Sequence, residues 1–372
     1  MPDATPAQPT KSGRLESIDV VRGLAALSVA IYHNGFGPAL SRATGQGGWQ
    51  WISWPGAHIA VPVFFVLSGF CIHLGWLDRK QDGGFTKAFL IQRFFRIYPA
   101  WFVAVLVSAL ALRLGGSTAT ARELAAYFTL TNGFFDDYRL NEALWSVSVE
   151  SFLYLVYPFW LAVRRRHGLV AACGLALAVN IASAAVTAHF FGAPKGPTEW
   201  FFLNVWSGWI SGAVLAELLA NPVRHLLRNP YWWLGGIIAW SLHLAAKSQL
   251  LYQGLLEYAD LPVTIILCVW PVALFIRAGE LIGTQPSGLL GGAWRILAGI
   301  GLFSYSLYLL HIPLRAVRFF LNDHLAGQAA KGLLQAGWFG VTLLVSWLCY
   351  RWVEIPSARL RRPLSGRDRR PA

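Results

Sequence analysis

Residues 57–77 read AHIAVPVFFVLSGFCIHLGWL, a run of 21 residues that contains no Asp, Glu, Lys or Arg. About 20 mostly apolar residues are enough for a helix to cross the hydrocarbon core of a bilayer, so we interpret this run as a membrane span. The whole chain points the same way, since 55% of its 372 residues are apolar and only 13% are charged. Soluble proteins have roughly 25% charged residues. The composition excludes a water-soluble enzyme, a disordered chain and a disulfide-rich secreted scaffold.

Nine further stretches have similar length and hydropathy, so the sequence predicts an all-α, polytopic membrane helical bundle of about ten transmembrane helices. The predicted spans are residues 18–36, 57–77, 95–114, 142–163, 168–190, 200–219, 231–247, 260–279, 295–318 and 333–353. With the N-terminus inside, 21 Lys and Arg fall in the inner segments and nine in the outer ones. This bias predicts that both termini are cytoplasmic. It also accounts for the net charge of +13 without nucleic-acid binding.

The domain organisation follows from these spans. We expect one transmembrane domain over residues 14–362, between a disordered cytoplasmic tail (1–13) and a basic cytoplasmic tail (363–372). The first thirteen residues contain no apolar stretch and are not a signal peptide, so the first span must act as its own insertion signal. The four cysteines lie singly inside apolar runs, which predicts buried free thiols rather than disulfides or metal ligands. They are Cys71, Cys173, Cys268 and Cys349. We predict no metal.

Two ionisable residues in the first span lie on one face of the predicted helix. Arg22 and His33 are eleven residues apart, which at 100° per residue is about 20° more than three full turns, with roughly 16 Å of rise. Arg22 would lie near the cytoplasmic end and His33 in the outer half, as in a site that crosses much of the membrane. Ionisable residues inside spans indicate function by default. The alternative is that Arg22 reaches lipid phosphates and His33 contacts a neighbouring helix.

Further ionisable residues occur in or beside other spans. Glu150, in LWSVSVESFLYLVYP, must pair, protonate or face a wet cavity. His311, in SYSLYLLHIPL, is either functional or a satisfied contact between helices. Arg93 and Arg96, in LIQRFFRIYPAW, share a helix face and can grip a phosphate. That phosphate could equally belong to an anionic lipid.

Three other residues are weaker candidates. His58 and His73 lie near the two ends of the second span, where we expect water to reach them. Glu354 lies at the inner end of the last span, where we expect it to pair with Arg351 or Arg359.

Five stretches together resemble the acyltransferase-3 family of integral membrane O-acyltransferases. They are ESIDVVRGLAALSVAIYHNGF, VPVFFVLSGFCIHL, QRFFRIYPAWF, LWSVSVESFLYLVYP and SYSLYLLHIPL, and WVEIP closes the last span. The resemblance covers about residues 14–362. It implies an enzyme that moves an acyl group, usually acetyl, from cytoplasmic acyl-CoA to a hydroxyl of an exported glycan or glycolipid. We expect a multi-pass protein of a bacterial inner membrane.

The resemblance also implies roles for individual residues. The family's R/K-x10-H motif matches Arg22 and His33, its RxxR element matches Arg93 and Arg96, and its W-S-x-S-x-E stretch ends at Glu150. We therefore assign donor binding to the three arginines, with acetyl-CoA as the donor, and catalysis to His33 and Glu150. His33 would act as a general base or would carry the acyl group covalently. The acceptor would contact three further residues: Trp145, Ser146 and His311.

The expected partners are the lipid bilayer, acyl-CoA and a glycan or glycolipid acceptor, without nucleic acid. The sequence leaves the oligomeric state open, including a homo-oligomer. The main alternative is a proton-coupled transporter or flippase of a polar or lipid-linked substrate, in which the buried Arg, His and Glu would form a relay. Such proteins tend to show paired repeats, and we find none in this sequence. A lipid-binding scaffold would leave the shared face of Arg22 and His33 unexplained.

Overall fold

The computed structural model describes residues 11–78, 85–134, 139–191, 201–220, 229–248, 255–282 and 287–360. Within these ranges the secondary structure is helical, and no described residue lies in a β-strand. The α-helices are α1 (Lys11–His33), α2 (Phe36–Thr44), α3 (Trp54–His58), α4 (Ala60–Leu77), α5 (Phe85–Leu114), α6 (Ala121–Phe128), α7 (Trp145–Phe191), α8 (Trp206–Ala220), α9 (Pro230–Ser248), α10 (Leu255–Leu267), α11 (Val269–Ile282), α12 (Gly288–Leu302), α13 (Ser304–Asp323), α14 (Gln328–Cys349) and α15 (Ile355–Leu360). The predicted all-α class is confirmed.

Five helical segments among the described residues are long and apolar enough to cross a membrane, or six if the bent pair α12 and α13 forms one span. The membrane character predicted from the sequence is therefore supported, and the count of ten spans stays a prediction. One predicted span differs in shape. Residues 295–318 do not form a straight helix, because α12 and α13 meet at 74° on either side of Phe303.

Two other predicted spans, 142–163 and 168–190, are joined in the structure. Both lie in α7, which is interrupted only at Gly168, where φ is 88°. Glycine has no Cβ and adopts this left-handed region at little cost, so the chain can turn there between two helical halves. The helix α1 begins at Lys11 and so includes the last three residues of the predicted N-terminal tail. The rest of both predicted tails lies outside the described residues.

Helix α1 is surrounded by α3, α4, α11, α12 and α13. Glycines allow its backbone to touch α12. A Cβ placed on Gly23 would lie 2.1 Å from the Leu297 carbonyl oxygen, and one placed on Gly301 would lie 1.9 Å from the Asp19 carbonyl oxygen. Small residues at helix interfaces let backbones approach in membranes. Helix α1 is therefore held among the other helices of the bundle, with Arg22 and His33 partly buried.

Helices α4 and α8 pack against each other in the same way. A Cβ on Gly69 would lie 2.1 Å from the carbonyl oxygen of Trp209, and one on Gly212 would lie 2.1 Å from that of Val66. Around this contact the core is rich in aromatic side chains contributed by α4, α5, α7 and α8. Fully buried examples are Phe70, Trp101, Tyr157, Trp160 and Trp209. All four cysteines are free, and Cys268 and Cys349 are buried.

The contact between α4 and α8 predicts that Gly69→Ala lowers the unfolding temperature. The added methyl group meets the Trp209 backbone, and overpacking of this kind costs about 1–3 kcal/mol. The matched control is Gly75→Ala on the same helix, where a Cβ would meet nothing within 4 Å and where helix propensity favours alanine. Thermal unfolding of the purified proteins in detergent compares them. Equal unfolding temperatures would contradict the close approach.

Candidate active site

A polar cleft, which we call the arginine pocket, lies between α1, α4, α5, α7 and α13. Its polar lining residues are Arg22, Ser68, Cys71, Arg93, Arg96, Ser146, Glu150, Tyr154, Ser304, Tyr305 and Tyr308. The structure thus brings together all three arginines expected to bind the donor, although they come from two separate helices. Apolar residues complete the walls, among them Phe64 and Phe65. The pocket therefore combines positive charge with an apolar surface.

Two of the three arginines have acidic partners. Nη1 of Arg22 lies 3.4 Å from Oδ1 of Asp19, and its Nη2 lies 3.3 Å from the thiol of Cys71. Nη1 of Arg96 lies 3.0 Å from Oε2 of Glu354. Buried charges are tolerated when they are paired and hydrogen-bonded. These pairs therefore hold both guanidinium groups in place at the edge of the pocket.

Arg93 differs from the other two. Its Nε is buried and has no hydrogen-bond partner among the described residues. Its guanidinium carbon lies 5.6 Å from the ring centroid of Phe89 and 5.8 Å from that of Tyr154, both within cation–π distance. An unsatisfied buried polar group calls for an explanation, and Arg93 is the arginine of this pocket for which the described residues give no acidic partner.

Glu150 faces the same pocket and belongs to a chain of hydroxyl groups. Tyr154 donates a hydrogen bond to Oε1 of Glu150 at 2.5 Å, and its hydroxyl lies 3.3 Å from that of Ser68. Ser146, four residues before Glu150, lies 2.7 Å from the hydroxyl of Tyr308. The pocket wall therefore presents a carboxylate and several hydroxyl groups beside the arginines.

A pair of histidines lies at the end of α1. Nδ1 of His33 is 3.1 Å from Nε2 of His311, which is fully buried. Nδ1 of His311 faces the carbonyl oxygen of Tyr308 at 2.7 Å and must therefore donate, and Nδ1 of His33 also faces the Val29 carbonyl at 3.1 Å.

These contacts fix the tautomers of the two neutral rings. A neutral imidazole carries one N–H and one lone pair. Because Nδ1 of His311 holds its proton, its Nε2 accepts the hydrogen bond from Nδ1 of His33. The lone pair of His33 then lies on its Nε2, which has no hydrogen-bond partner among the described residues. The pair therefore offers one imidazole nitrogen ready to accept a proton.

Arg315, which the sequence analysis did not single out, fixes the position of His33. Its Nη1 donates to the backbone carbonyl of His33 at 2.9 Å, and its Nη2 donates to Oε1 of Glu142 at 2.6 Å. The last carbonyls of a helix lack partners within the helix, and a cation there interacts favourably with the helix dipole. Arg315 follows His311 by four residues on the same face of α13, and this spacing was a signal available in the sequence.

The arginine pocket and the histidine pair are connected through two helices. Arg22 lines the pocket, and His33 lies eleven residues further along the same face of α1. Tyr308 also lines the pocket, and its ring centroid is 5.7 Å from that of His311, one turn further along α13. The arginine pocket and the histidine pair thus follow one another along the space between α1 and α13.

The structure shows the surroundings of two further residues that were predicted for the site. Glu150 hydrogen-bonds within the arginine pocket. The hydrogen bonds of His33 among the described residues are made instead with Val29, His311 and Arg315. The ring of Trp145 lies 6.4 Å from that of Phe65, and Trp145 is not among the residues that line the pocket.

Glu354 is also paired differently from the sequence prediction. It contacts Arg96 instead of Arg351 or Arg359, and its Oε1 accepts hydrogen bonds from the amide and hydroxyl groups of Ser306 at 3.1 and 2.6 Å. The reason is tertiary packing. The segment that carries Glu354 lies beside α5, which contributes Arg96, and Glu354 also reaches Ser306 at the start of α13. Glu354 therefore anchors one wall of the arginine pocket.

The expectation that water reaches His73 is wrong, whereas His58 is exposed. His73 is fully buried, with Nε2 at 2.9 Å from Oε1 of Glu217 and Nδ1 at 2.9 Å from the hydroxyl of Tyr157. Arg164 reaches the same carboxylate oxygen at 2.5 Å. This buried cluster ties α4, α7 and α8 together, and packing by α8 is what shields His73 from water.

Comparison with known proteins gives relatives along most of the chain. The acyltransferase MdmB of Streptomyces mycarofaciens is 28% identical, with 96% of each chain aligned. Nodulation protein 10 of Rhizobium leguminosarum bv. viciae is 28% identical over 65% of this chain and 71% of its own. The peptidoglycan O-acetyltransferase OatA of Listeria monocytogenes is 24% identical over 91% of this chain, which spans only 55% of that relative. No solved structure matches the chain.

The helical bundle with its buried polar pocket and these relatives define a membrane acyltransferase. Residues 15–351 match the acyltransferase-3 family, whose description is "Acyltransferase domain", and the chain belongs to that family. The resemblance seen in the sequence is therefore confirmed.

The buried cluster around Glu217 predicts that Glu217→Ala strongly destabilises the protein. The substitution leaves Arg164 and His73 without their carboxylate, and breaking a buried ion pair costs about 3–5 kcal/mol. Glu16→Ala, at a partly exposed position of α1, is the control and is expected to change stability little. Thermal unfolding in detergent measures both. An unchanged unfolding temperature for Glu217→Ala would show that the cluster does not hold these helices together.

Proposed function

We propose that the protein transfers an acetyl group from cytoplasmic acetyl-CoA to a hydroxyl of an exported glycan or glycolipid. The observation that carries the proposal is that the arginine pocket and the histidine pair lie along one face of α1. Arg22 lines the pocket, and His33 belongs to the histidine pair at the end of the helix. This geometry suits a donor bound from one side of the membrane and an acceptor that arrives from the other. The name of the Listeria relative, a peptidoglycan O-acetyltransferase, supports acetyl transfer to a glycan.

The proposed topology has ten spans and cytoplasmic termini in a bacterial inner membrane. The acyltransferase domain would extend over residues 14–362, with short cytoplasmic tails on both sides. The excess of Lys and Arg in the inner segments, 21 against nine, supports this orientation. In this orientation the arginine pocket would face the cytoplasm, where acyl-CoA is found, and His33 would lie toward the outside.

In this proposal Arg93 binds a phosphate of acetyl-CoA. Arg22 and Arg96, which are held by their acidic partners, add positive charge beside it. Guanidinium groups bind phosphate oxygens through short, charge-assisted hydrogen bonds. Arg93 lacks a hydrogen-bonded acidic partner among the described residues, so a phosphate would satisfy it. Glu150 and the neighbouring hydroxyl groups would face the pantetheine arm, whose amide N–H groups can donate to a carboxylate.

The proposed chemical step uses the free Nε2 of His33. The acceptor hydroxyl gives its proton to Nε2 while its oxygen attacks the thioester carbonyl carbon. The C–S bond then breaks, and the CoA thiolate takes the proton from the imidazolium to leave as the thiol. During this step Nδ1–H of His33 donates to Nε2 of His311, so the charged ring keeps a hydrogen-bonded partner. The same nitrogen would serve if the acetyl group passed through an acyl-histidine.

Protection of Cys71 tests the donor site. Because the Cys71 thiol lies 3.3 Å from Arg22 in the arginine pocket, bound acetyl-CoA should slow its alkylation by N-ethylmaleimide, by about tenfold when the donor occupies roughly 90% of the protein. Mass spectrometry of the Cys71 peptide follows the reaction. Arg93→Gln should remove the protection, whereas Arg113→Gln, exposed on the same helix and remote from the pocket lining, should keep it. The same alkylation rate with and without donor would refute this donor site.

Replacement of His33 tests the proposed chemistry. His33→Ala removes the base, so transfer of radiolabelled acetyl from acetyl-CoA into the cell envelope should fall by about 10²–10⁴-fold. The matched control is His324→Ala, an exposed histidine at the end of α13, which should transfer label like the wild type. Membranes with equal amounts of each protein are compared. Wild-type turnover in His33→Ala would rule out this mechanism.

A further inference from the structure

A second cleft, separate from the arginine pocket, lies between α3 and the helices α9 and α10. Its walls combine two indole rings, two imidazole rings and a hydroxyl group. These residues are Trp54, His58, Trp240, His243 and Thr264, and the aliphatic side chains of Ile59 and Leu244 complete the walls. We call it the aromatic cleft. None of these residues belongs to the donor site or to the histidine pair described above.

The polar groups of the aromatic cleft are held in fixed positions. Nε2 of His243 lies 3.2 Å from Oδ1 of Asp260 and 2.9 Å from the hydroxyl of Thr264. The ring of Trp240 lies beside His243, and its Nε1 donates to the carbonyl of Leu267 at 3.1 Å, which fixes the orientation of the indole. A ligand would therefore meet a preformed set of rings and hydrogen-bonding groups.

The chemistry of the walls favours a neutral, hydroxyl-rich ligand. Asp260 is not itself a lining residue, but its carboxylate lies 3.2 Å from Nε2 of the lining residue His243, and this negative charge disfavours a phosphate or a carboxylate at that wall. The imidazole and threonine groups of the wall can hydrogen-bond hydroxyl groups. Indole faces carry partial negative charge and attract the weakly positive C–H groups of a flat ring. A pyranose sugar offers both features, hydroxyl groups at its rim and C–H groups on its face.

The position of the cleft relates it to the histidine pair. The backbone of α3 touches the last turns of α1, since a Cβ on Gly56 would lie 2.0 Å from the Ser28 carbonyl oxygen and 2.7 Å from Cβ of Tyr32. Helix α1 ends at His33, the next residue. The short helix α3 is thus fixed against the last turns of α1 through Gly56, and Trp54 and His58 lie on the opposite side of α3, since each is two residues from Gly56.

From these observations we infer that the aromatic cleft binds a neutral sugar ring of the acceptor. The identification of this sugar as the acceptor rests on the proposed function, whereas sugar binding itself does not. The experiment therefore has a binding arm and a kinetic arm, and each arm can fail on its own.

The binding arm uses purified full-length protein in nanodiscs, because detergents with sugar head groups would compete. Saturation-transfer NMR is recorded with three neutral probes, chitotetraose, cellotetraose and maltotetraose. At least one should bind, and Trp54→Ala should raise its dissociation constant about tenfold or more. Trp54→Phe keeps an aromatic face and should bind within about threefold of wild type, since the expected difference is well under 1.4 kcal/mol.

The control for this arm is Trp51→Ala. Trp51 is 73% exposed and precedes Trp54 in the same segment, but it does not line the cleft. Asp260→Asn provides a second variant that should also weaken binding, and thermal unfolding checks that each variant is folded. If none of the three sugars binds, or if Trp54→Ala and Asp260→Asn bind like Trp51→Ala, the inference is overturned.

The kinetic arm measures acetyl transfer at varied concentrations of donor and of acceptor membranes. Trp54→Ala should raise the KM for the acceptor and leave the KM for acetyl-CoA unchanged. Unchanged acceptor KM in the presence of normal transfer would refute the role of the cleft while leaving the proposed function intact. Sugar binding without any acetyl transfer by the wild type would refute the proposed function and leave the cleft as a sugar site.

Discussion

The structure depends on one physical constraint: a charged group inside a membrane bundle must be enclosed by protein and given partners. A charge left without partners in a low-dielectric interior is costly. Helix α1 meets this constraint through glycine contacts that bring its backbone against α12. Arg22 has one partner on its own helix, Asp19, and one on α4, Cys71. The same constraint joins Arg96 to Glu354 and the buried His73 to Glu217.

Against this background, two groups without partners among the described residues are informative. Nε of Arg93 is buried without a hydrogen bond, and Nε2 of His33 keeps a free lone pair. The first suits an incoming anion and the second suits an incoming proton. They lie at two levels of one interhelical region, connected by α1 and by Tyr308 and His311 on α13. An acyl donor with an anionic end and a reactive end fits this order.

The features that the sequence could predict are those that depend on the regular geometry of a single helix. The shared face of Arg22 and His33 follows from helical geometry within one segment, and the apolar runs show where helices lie. Contacts between distant segments had no such signal. Glu354 and Arg96 are 258 residues apart, and no local pattern favours that pair over Arg351. The resemblance to a family brought Arg93 into the site with Arg22, but only the packing of α13 against α1 shows that His311 contacts His33.

The bend at Phe303 was also beyond prediction, because the residues around it are as apolar as those of an unbroken span. The neighbours of Glu150 were beyond prediction for a related reason. Depth along a helix can be counted from the sequence, but the direction of the side chain depends on how α7 rotates against its neighbours. That rotation turns Glu150 toward Ser68 and Tyr154 and away from the histidine pair.

The central claim is that the donor binds along one face of α1, with its phosphates at Arg93 of α5 and its acyl group at His33. A cryo-EM structure of the protein with an unreactive thioether analogue of acetyl-CoA tests it most directly. The account predicts phosphate oxygens hydrogen-bonded to Arg93 and the acyl end beside Nε2 of His33. Phosphates bound away from the arginine pocket, or an acyl end on another face of α1, would contradict it.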